Sequence, residues 1–258
     1  MKPRPFADDD FLCSRCGYVL NGLSRGSVCP ECGLLIETSH PDARRGTPWQ
    51  RGERFGYFKT LLMALVQPRR MFEVVRIDAN SVVVLKWVHF SIAALVVCTA
   101  ALISFHPDPK FDPPGLAAFV VVWLMPLAWL GLAAATAVER RGIMLWGRAR
   151  GRRISAGVAS TIVAHASAGW VAGSLLVGAS FYAGFAMRHL AQTWPPATYE
   201  LLLLGPLIMP LVGALLGLLW FEILVYLGVR RCQYANMPAA AARLVAVDDR
   251  TRGDASLH

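Results

Sequence analysis

Long runs of apolar residues dominate the second part of the chain. A helix of about 20 apolar residues crosses the hydrocarbon core of a bilayer and satisfies its own backbone hydrogen bonds there. A soluble helical protein does not normally carry four such runs within 258 residues. The pattern predicts an all-α polytopic membrane bundle, domain 81–229, with four transmembrane helices. These are expected at about 81–105, 115–138, 154–187 and 201–229.

A shorter apolar pattern precedes the first span, within residues 55–80. Apolar side chains recur there at three- and four-residue spacing from Phe55, which predicts a juxtamembrane amphipathic helix too short to span. Pro68 is expected to stop or bend it. One interpretation places this helix in the headgroup layer, and the other packs it on the cytoplasmic end of the bundle. The predicted contacts with anionic headgroups are Lys59, Arg69 and Arg70.

Polar segments flank these elements. Residues 39–54 are rich in proline, glycine and arginine, so they predict a flexible linker. Residues 1–10 are interpreted as a disordered tail, and residues 230–258 as a mostly disordered cytoplasmic tail.

Small residues in the third and fourth spans predict where helices pack. Each of these spans carries two glycines at four-residue spacing, which lets helix backbones approach closely in lipid. The third span, rich in alanine and serine as well, is expected to be the central helix. The sequence is also compatible with an oligomer, and it does not determine the oligomeric state. The predicted packing residues are Gly169, Gly173, Gly213 and Gly217.

The net charge of +9 is distributed unevenly along the chain. Residues 1–80 carry twelve lysines and arginines, the loop 139–153 carries six, and residues 230–258 carry five. Basic residues are retained on the cytoplasmic side of short loops, so both termini are expected in the cytoplasm. Topology thus accounts for the positive charge without nucleic acid.

Four cysteines form the most specific chemical pattern of the chain. They stand as C-x2-C, twelve residues, C-x2-C, which predicts a zinc ribbon with short β-hairpin knuckles over residues 11–38. Two such pairs close a tetrahedral shell without an open position, so the predicted ion is structural, one Zn²⁺ per chain. Gly17 and Gly33 suit the tight turns. The predicted ligands are Cys13, Cys16, Cys29 and Cys32.

Two alternatives to zinc remain for these cysteines. Disulfides require an oxidising compartment, but residues 1–10 do not resemble a signal peptide. Iron is the second alternative, because the knuckles resemble those of rubredoxin. The rubredoxin family separates its knuckles more widely, which favours zinc.

Ionisable residues within the spans raise a second functional hypothesis. Such residues are costly in lipid and often mark transport pathways. His165 and Glu222 are the candidates for an intramembrane polar site, and a small transporter or channel is the alternative function. Enzyme motifs are absent from the sequence, which favours a protein without catalysis. Nucleic-acid binding is not expected, because residues 11–38 have no net charge.

Two resemblances accompany these patterns. Residues 11–35, with C-x-x-C-G-Y-x-L-x-G-L and then C-P-E-C-G, resemble zinc-ribbon modules at the N-termini of bacterial membrane proteins. Residues 61–72 (LLMALVQPRRMF) resemble the entry segment of the Yip family of Ypt/Rab-interacting integral membrane proteins. That family implies a cytoplasmic N-terminus and usually five spans, and its eukaryotic members interact with small GTPases. It implies no catalytic residue.

Together these patterns predict a protein of the bacterial inner membrane with a cytoplasmic zinc ribbon. The ribbon is expected to act as a binding or scaffolding module that holds a protein partner close to the membrane.

Overall fold

The computed structural model describes residues 10–105, 115, 118–152, 154–191, 196–238 and 240. Two short 3-10 helices, Ile36–Ser39 and Pro41–Ala43, follow the cysteine-rich segment. The α-helices are α1 (Gly56–Val66), α2 (Pro68–Val74), α3 (Ala79–Phe105), α4 (Met125–Ala149), α5 (Ala156–Ala166), α6 (Ala168–Ala191) and α7 (Pro196–Cys232). A π-helical turn, Val120–Leu124, precedes α4.

The predicted all-α membrane bundle is confirmed. Within the described residues, four helical stretches are long and apolar enough to cross a membrane, so the chain is a multi-pass membrane protein. The third stretch is the most buried. Of its most apolar 18 residues 67% are buried, compared with 39% or less in the other three stretches. The stretches are Ser81–Ile103, Val120–Gly147, Ala156–Gly184 and Ile208–Cys232.

The chain forms two compact units, whose boundaries fall inside α3, α4 and α7 and before the last residue of α5. The first unit takes the described parts of residues 1–83, 139–165 and 225–258. The second takes those of residues 84–138 and 166–224.

In the second unit, α6 packs on α7 through glycines. A Cβ atom added at Gly173 would lie 2.8 Å from the Cα atom of Gly217, and one added at Gly169 would lie 2.7 Å from the Cα atom of Phe221. A Cβ atom at Gly213 would meet the backbone of Leu176 at 3.0 Å. The structure thus brings the two glycine pairs together, and the backbones approach as closely as the missing side chains allow.

The second span is longer than predicted, because α4 continues from Val138 to Ala149. Gly151 ends this helix in a left-handed conformation (φ 68°), and the N–H of Arg152 donates to the carbonyl of Gly147 at 2.8 Å. This is the Schellman pattern of a helix C-terminus. Most of the predicted basic loop 139–153 is therefore helical.

Residues 39–54, predicted to be a flexible linker, are packed into the first unit instead. Thr47 is fully buried. The side-chain amide of Gln50 accepts from the N–H of Arg76 at 2.9 Å and donates to the carbonyl of the same residue at 2.6 Å. Trp49 donates its backbone N–H to the hydroxyl of Thr60 at 2.9 Å. In this proline- and glycine-rich segment, hydrogen bonds to side-chain amides and hydroxyls thus take the place of regular backbone–backbone hydrogen bonds.

Alanine at Gly173 should destabilise the protein by about 1 to 3 kcal/mol, because its methyl group would overlap the backbone of Gly217. The matched control is Gly131→Ala in α4, where an added Cβ atom meets nothing within 4 Å. Denaturation in mixed detergent micelles, followed by circular dichroism, measures both. Equal stability of the two variants would contradict a tight contact between α6 and α7.

Candidate metal centre

The two C-x-x-C segments have the same backbone structure. In the first, the N–H of Cys13 donates to the carbonyl of Tyr18 at 2.8 Å, and the N–H of Gly17 donates to Cys13 at 2.9 Å. In the second, Cys29 donates to Leu34 and Gly33 to Cys29, at the same two distances. Every residue of the second set therefore lies 16 positions after its counterpart in the first.

Both turns end in a glycine with positive φ, as the sequence predicts. Gly17 has φ 76° and Gly33 has φ 71°. A side chain is strained in this region, which explains why glycine follows the second cysteine of each pair. The predicted β-hairpins are not formed: in the described residues each knuckle has one isolated antiparallel bridge, Leu12 with Val19 and Val28 with Leu35. The turns are closed by backbone hydrogen bonds within each C-x-x-C segment rather than by strand ladders.

The four sulfur atoms form one cluster. All of the Sγ atoms lie within 4.8 Å of one another. The Sγ atoms of Cys13 and Cys32 are 3.5 Å apart, and those of Cys16 and Cys29 are 3.6 Å apart. A tetrahedron with metal–sulfur bonds of about 2.3 Å has edges of about 3.8 Å. The arrangement therefore fits a four-coordinate metal ion bound by cysteine alone.

The thiols of this cluster ionise unequally. Burial raises the pKa of Cys13, but the backbone N–H groups of Cys16 and Arg15 outweigh it and bring that pKa down to about 7. Burial and neighbouring sulfurs raise the pKa of Cys16 to about 12. Four thiolates side by side consequently require a cation to balance their charge.

The core around the sulfurs is small and includes the C-terminal segment. Its buried side chains have 2% exposure or less, and one of them, Ala240, lies beyond the C-terminal end of α7. A segment this short buries little apolar surface by itself, so a metal and this added contact both contribute to its order. The buried members are Phe11, Cys13, Leu20, Cys29, Ile36 and Ala240.

Asn236 ties the ribbon to the segment after α7. Its Oδ1 accepts the N–H of Leu12 at 2.8 Å, and its Nδ2 donates to the carbonyls of Leu12 and Ser39, each at 2.7 Å. Asn236 is only 6% exposed. Nearby, a Cβ atom at Gly17 would lie 2.6 Å from the ring of Tyr234. The start of the predicted disordered tail is thus docked on the ribbon, and the rest of that tail lies outside the described residues.

Arg44 makes a second connection to the end of α7. Its guanidinium donates to the carbonyl of Phe72 and to that of Arg231, each at 2.9 Å. The guanidinium fork holds two helix C-termini, α2 and α7, whose last carbonyls have no partner inside their own helices. The ribbon, the two helix ends and the segment between them form one packed assembly within the first unit.

The predicted lipid contacts lie on α1 and α2. Lys59 Nζ forms an ion pair with Glu53 at 3.0 Å, while Arg69 and Arg70 are exposed. As the sequence predicts, the first helix ends before Pro68; Pro68 is the first residue of a second helix, α2, which the sequence does not predict. Hydrogen bonds from Arg51 and Lys59 hold the pKa of Glu53 below its usual range.

The outward face of α1 is apolar. Its inward face consists of the small residues Gly56, Thr60 and Ala64. The large side chains point away from the molecule with exposures of 61–66%. They are Phe55, Phe58, Leu62 and Val66.

The two predicted intramembrane polar residues have different surroundings. His165 is 1% exposed and its Nδ1–H donates to the carbonyl of Thr161 in the preceding turn at 3.0 Å. Its Nε2 is buried and has no hydrogen-bond partner among the described residues. Glu222, by contrast, is exposed on α7. A polar site in the bundle interior needs an inward carboxyl, and Glu222 does not supply it.

No family model, curated protein or solved structure matches the chain. The assignment of the membrane part to the Yip family and of the N-terminal segment to the ribbon modules stays a prediction.

Replacing Asn236 by alanine should loosen the ribbon, because it leaves buried backbone groups of Leu12 and Ser39 without their partner. A loss of about 1 to 3 kcal/mol would make metal release to a chelator roughly 5- to 150-fold faster. The measurement is the rate of metal transfer from the purified protein to a colorimetric chelator. The exposed Glu31→Gln on the same ribbon is the control. An unchanged rate for Asn236→Ala would show that the docked segment does not hold the ribbon.

Proposed function

We propose that the protein is a multi-pass protein of the bacterial inner membrane whose cytoplasmic ribbon binds one structural Zn²⁺ and recruits a protein partner. The ligand set supports zinc, because four thiolates in tetrahedral geometry are typical of structural zinc sites. A cytoplasmic site keeps its thiols reduced and available to metal. No reaction and no catalytic residue belong to the proposal.

The ends of the long helices support the cytoplasmic orientation. The last turns of α4 and α7 carry arginines, and Arg150 lies over the ring of Trp146 at 3.9 Å. Arginine and tryptophan together are typical of the membrane–water interface on the cytoplasmic side.

The observation that carries the recruiting function is an apolar surface on the ribbon. Val28 and Leu35 face each other across the bridge of the second knuckle, yet they are 52% and 54% exposed. Tyr18 on the first knuckle is 43% exposed. A module with so little core would gain from burying these side chains itself, so their exposure favours contact with another protein. The exposed ion pair of Arg25 with Glu37, at 3.8 Å, also leaves this region without the basic cluster of a nucleic-acid site.

The rigid base of this surface supports recruitment further. A metal at the four sulfurs and the three bonds of Asn236 would fix the knuckles before a partner arrives. A preorganised surface loses less conformational entropy on binding than a mobile one.

The outward face of α1 supports a second part of the proposal, in which this helix lies in the headgroup layer. The inward face has only small side chains, so the large apolar ones are left for lipid. The exposed Arg69 and Arg70 of the next helix are available to anionic headgroups. This arrangement would hold the ribbon close to the membrane surface.

Two double variants test the recruiting function in the full-length protein. Cys29→Ser with Cys32→Ser should lose the single zinc measured by elemental analysis, together with any protein that co-purifies from native membranes. Val28→Ser with Leu35→Ser should keep the zinc and lose the same protein, because only the apolar surface is removed.

Glu31→Gln serves as the control in this experiment and should keep both zinc and the co-purifying protein. Wild-type protein without zinc would contradict the metal assignment. A partner retained by Val28→Ser with Leu35→Ser would contradict the apolar surface as its binding site.

A spin label at Leu62→Cys tests the position of α1 in proteoliposomes with anionic lipid. Collisions with oxygen, which concentrates in lipid, should exceed those with a water-soluble nickel complex. Leu35→Cys on the ribbon should show the reverse, and protein without an added cysteine gives the background. Equal access of the nickel complex to both positions would contradict the headgroup location.

A further inference from the structure

A cleft of about 340 Å³ lies within the second unit, lined by residues of α3, α4, α6 and α7. Two of these residues, Gly131 of α4 and Ala214 of α7, are exposed, so the cleft is open to the surroundings at their positions. A Cβ atom added at Gly131 would meet nothing within 4 Å, which places open space beside that residue. The floor of the cleft is buried and has small side chains or none. It includes Ala93, Ala94, Gly173 and Ser174.

The polar side-chain groups of the lining are already used within the protein. The hydroxyl of Ser174 donates to the carbonyl of Val171 at 2.8 Å, and the indole N–H of Trp170 donates to the hydroxyl of Thr136 at 3.0 Å. None of the lining residues is charged. A polar ligand would lose its own hydrogen bonds on entry without replacing them, which costs free energy. The cleft therefore favours an apolar ligand, as apolar cavities in proteins generally do.

The cleft opens in the uncharged part of the spans. All of its lining residues lie within the four stretches that are long and apolar enough to cross a membrane. On α3, α4 and α7 the nearest charged residues are Lys86, Glu139 and Glu222, each at least five positions, or about 7.5 Å, from the lining. The exposed Leu130 and Leu215 continue the apolar surface on either side. Hydrocarbon chains of the bilayer therefore reach the cleft without passing a polar group.

The volume of the cleft distinguishes between apolar ligands. The α6 residues of the lining run from Trp170 to Val177, which is about 10 Å along the helix. A helix of another chain, about 10 Å wide, would need about 800 Å³ over that length, more than twice the volume present. A methylene group is about as large as a water molecule, which takes about 30 Å³ in the liquid. The cleft thus holds about eleven methylene groups in a row but not a helix.

We propose that this cleft binds one acyl chain of a membrane phospholipid, whose headgroup stays at the membrane surface. The chain fills space that the small side chains leave open, and its methylene groups supply dispersion contacts that the lining would otherwise lack. The lining has no cation for the carboxylate of a free fatty acid. The site therefore recognises the hydrocarbon chain by shape and makes no contact with a headgroup.

Photolabelling tests the site in vesicles of phosphatidylethanolamine and phosphatidylglycerol. The probe is a phosphatidylethanolamine with a diazirine on one acyl chain, and mass spectrometry of peptides locates the label. A chain outside the cleft reaches only exposed positions such as Leu130 and Leu215. A chain inside it also reaches Ser174, which is only 5% exposed. Wild-type protein should carry label on both kinds of position.

Two variants that fill the cleft should remove the label from Ser174 and leave it on Leu130. They are Ala214→Leu and Gly131→Leu, on different helices, so the test does not depend on the folding of one of them. The matched control is Ala137→Leu, since Ala137 is also exposed within a span but does not line the cleft. This control should keep the label on Ser174. Circular dichroism and zinc content verify that the variants are folded.

Three outcomes would overturn the proposal. Wild-type protein without label on Ser174 would show that no chain enters the cleft. Label on Ser174 that persists in both filling variants would show that the chain reaches it by another route. Competition by unlabelled fatty acid, but not by unlabelled phospholipid, would assign the cleft to a different class of lipid.

Discussion

The side-chain amide of Asn236 is the contact on which the ribbon end of the molecule depends. One amide provides one acceptor and two donors, and all three are used on the backbone of Leu12 and Ser39. Those groups would otherwise be buried without a partner, which costs more than a hydrogen bond gains. Because the ribbon has few apolar side chains of its own, such a contact decides whether the ribbon is a separate module or is packed with the rest of the first unit.

Packing of this kind gives the ribbon two different faces. On one, the ring of Tyr234 and the side chain of Ala240 cover the knuckles. On the other, Val28 and Leu35 are open to water. The first face fixes the orientation of the second relative to the end of α7. A metal at the four sulfurs and the tertiary packing would therefore act on the same small surface, and a defect in either would disorganise the proposed binding site.

Features that depend on local spacing could be predicted from the sequence. The clustered cysteines, the positive-φ glycines and the four apolar helices belong to this class, because each follows from residues that are close in the chain. The extension of α4 could have been predicted in part, since Gly151 is a typical C-terminal signal, but Gly142 and Gly147 within the extension weaken the helical pattern. The 16-residue offset between the two C-x-x-C segments was visible in the sequence as well. Two segments this short indicate a repeat less clearly than their four cysteines indicate a metal site.

The remaining features depend on contacts between distant residues. Asn236 binds Leu12 across 224 positions, and no local pattern marks an asparagine in a polar tail as a docking residue. The packed segment 39–54 likewise depends on Gln50 and Arg44, which composition assigns to a linker. Whether Glu222 points inward or outward depends on the rotation of α7 against α6, which the glycine contact fixes and hydropathy does not.

The same separation of Leu12 and Asn236 has a consequence for biosynthesis. The ribbon leaves the ribosome early, whereas the residue that clamps it is made only after all four spans. During that interval all four cysteines are already present, but the knuckles cannot yet dock. A docked ribbon therefore requires that α7 has been synthesised and that its end is on the same side of the membrane as the ribbon. A chain that stalls or inserts with the wrong topology would leave its ribbon undocked and thereby distinguishable from a finished molecule.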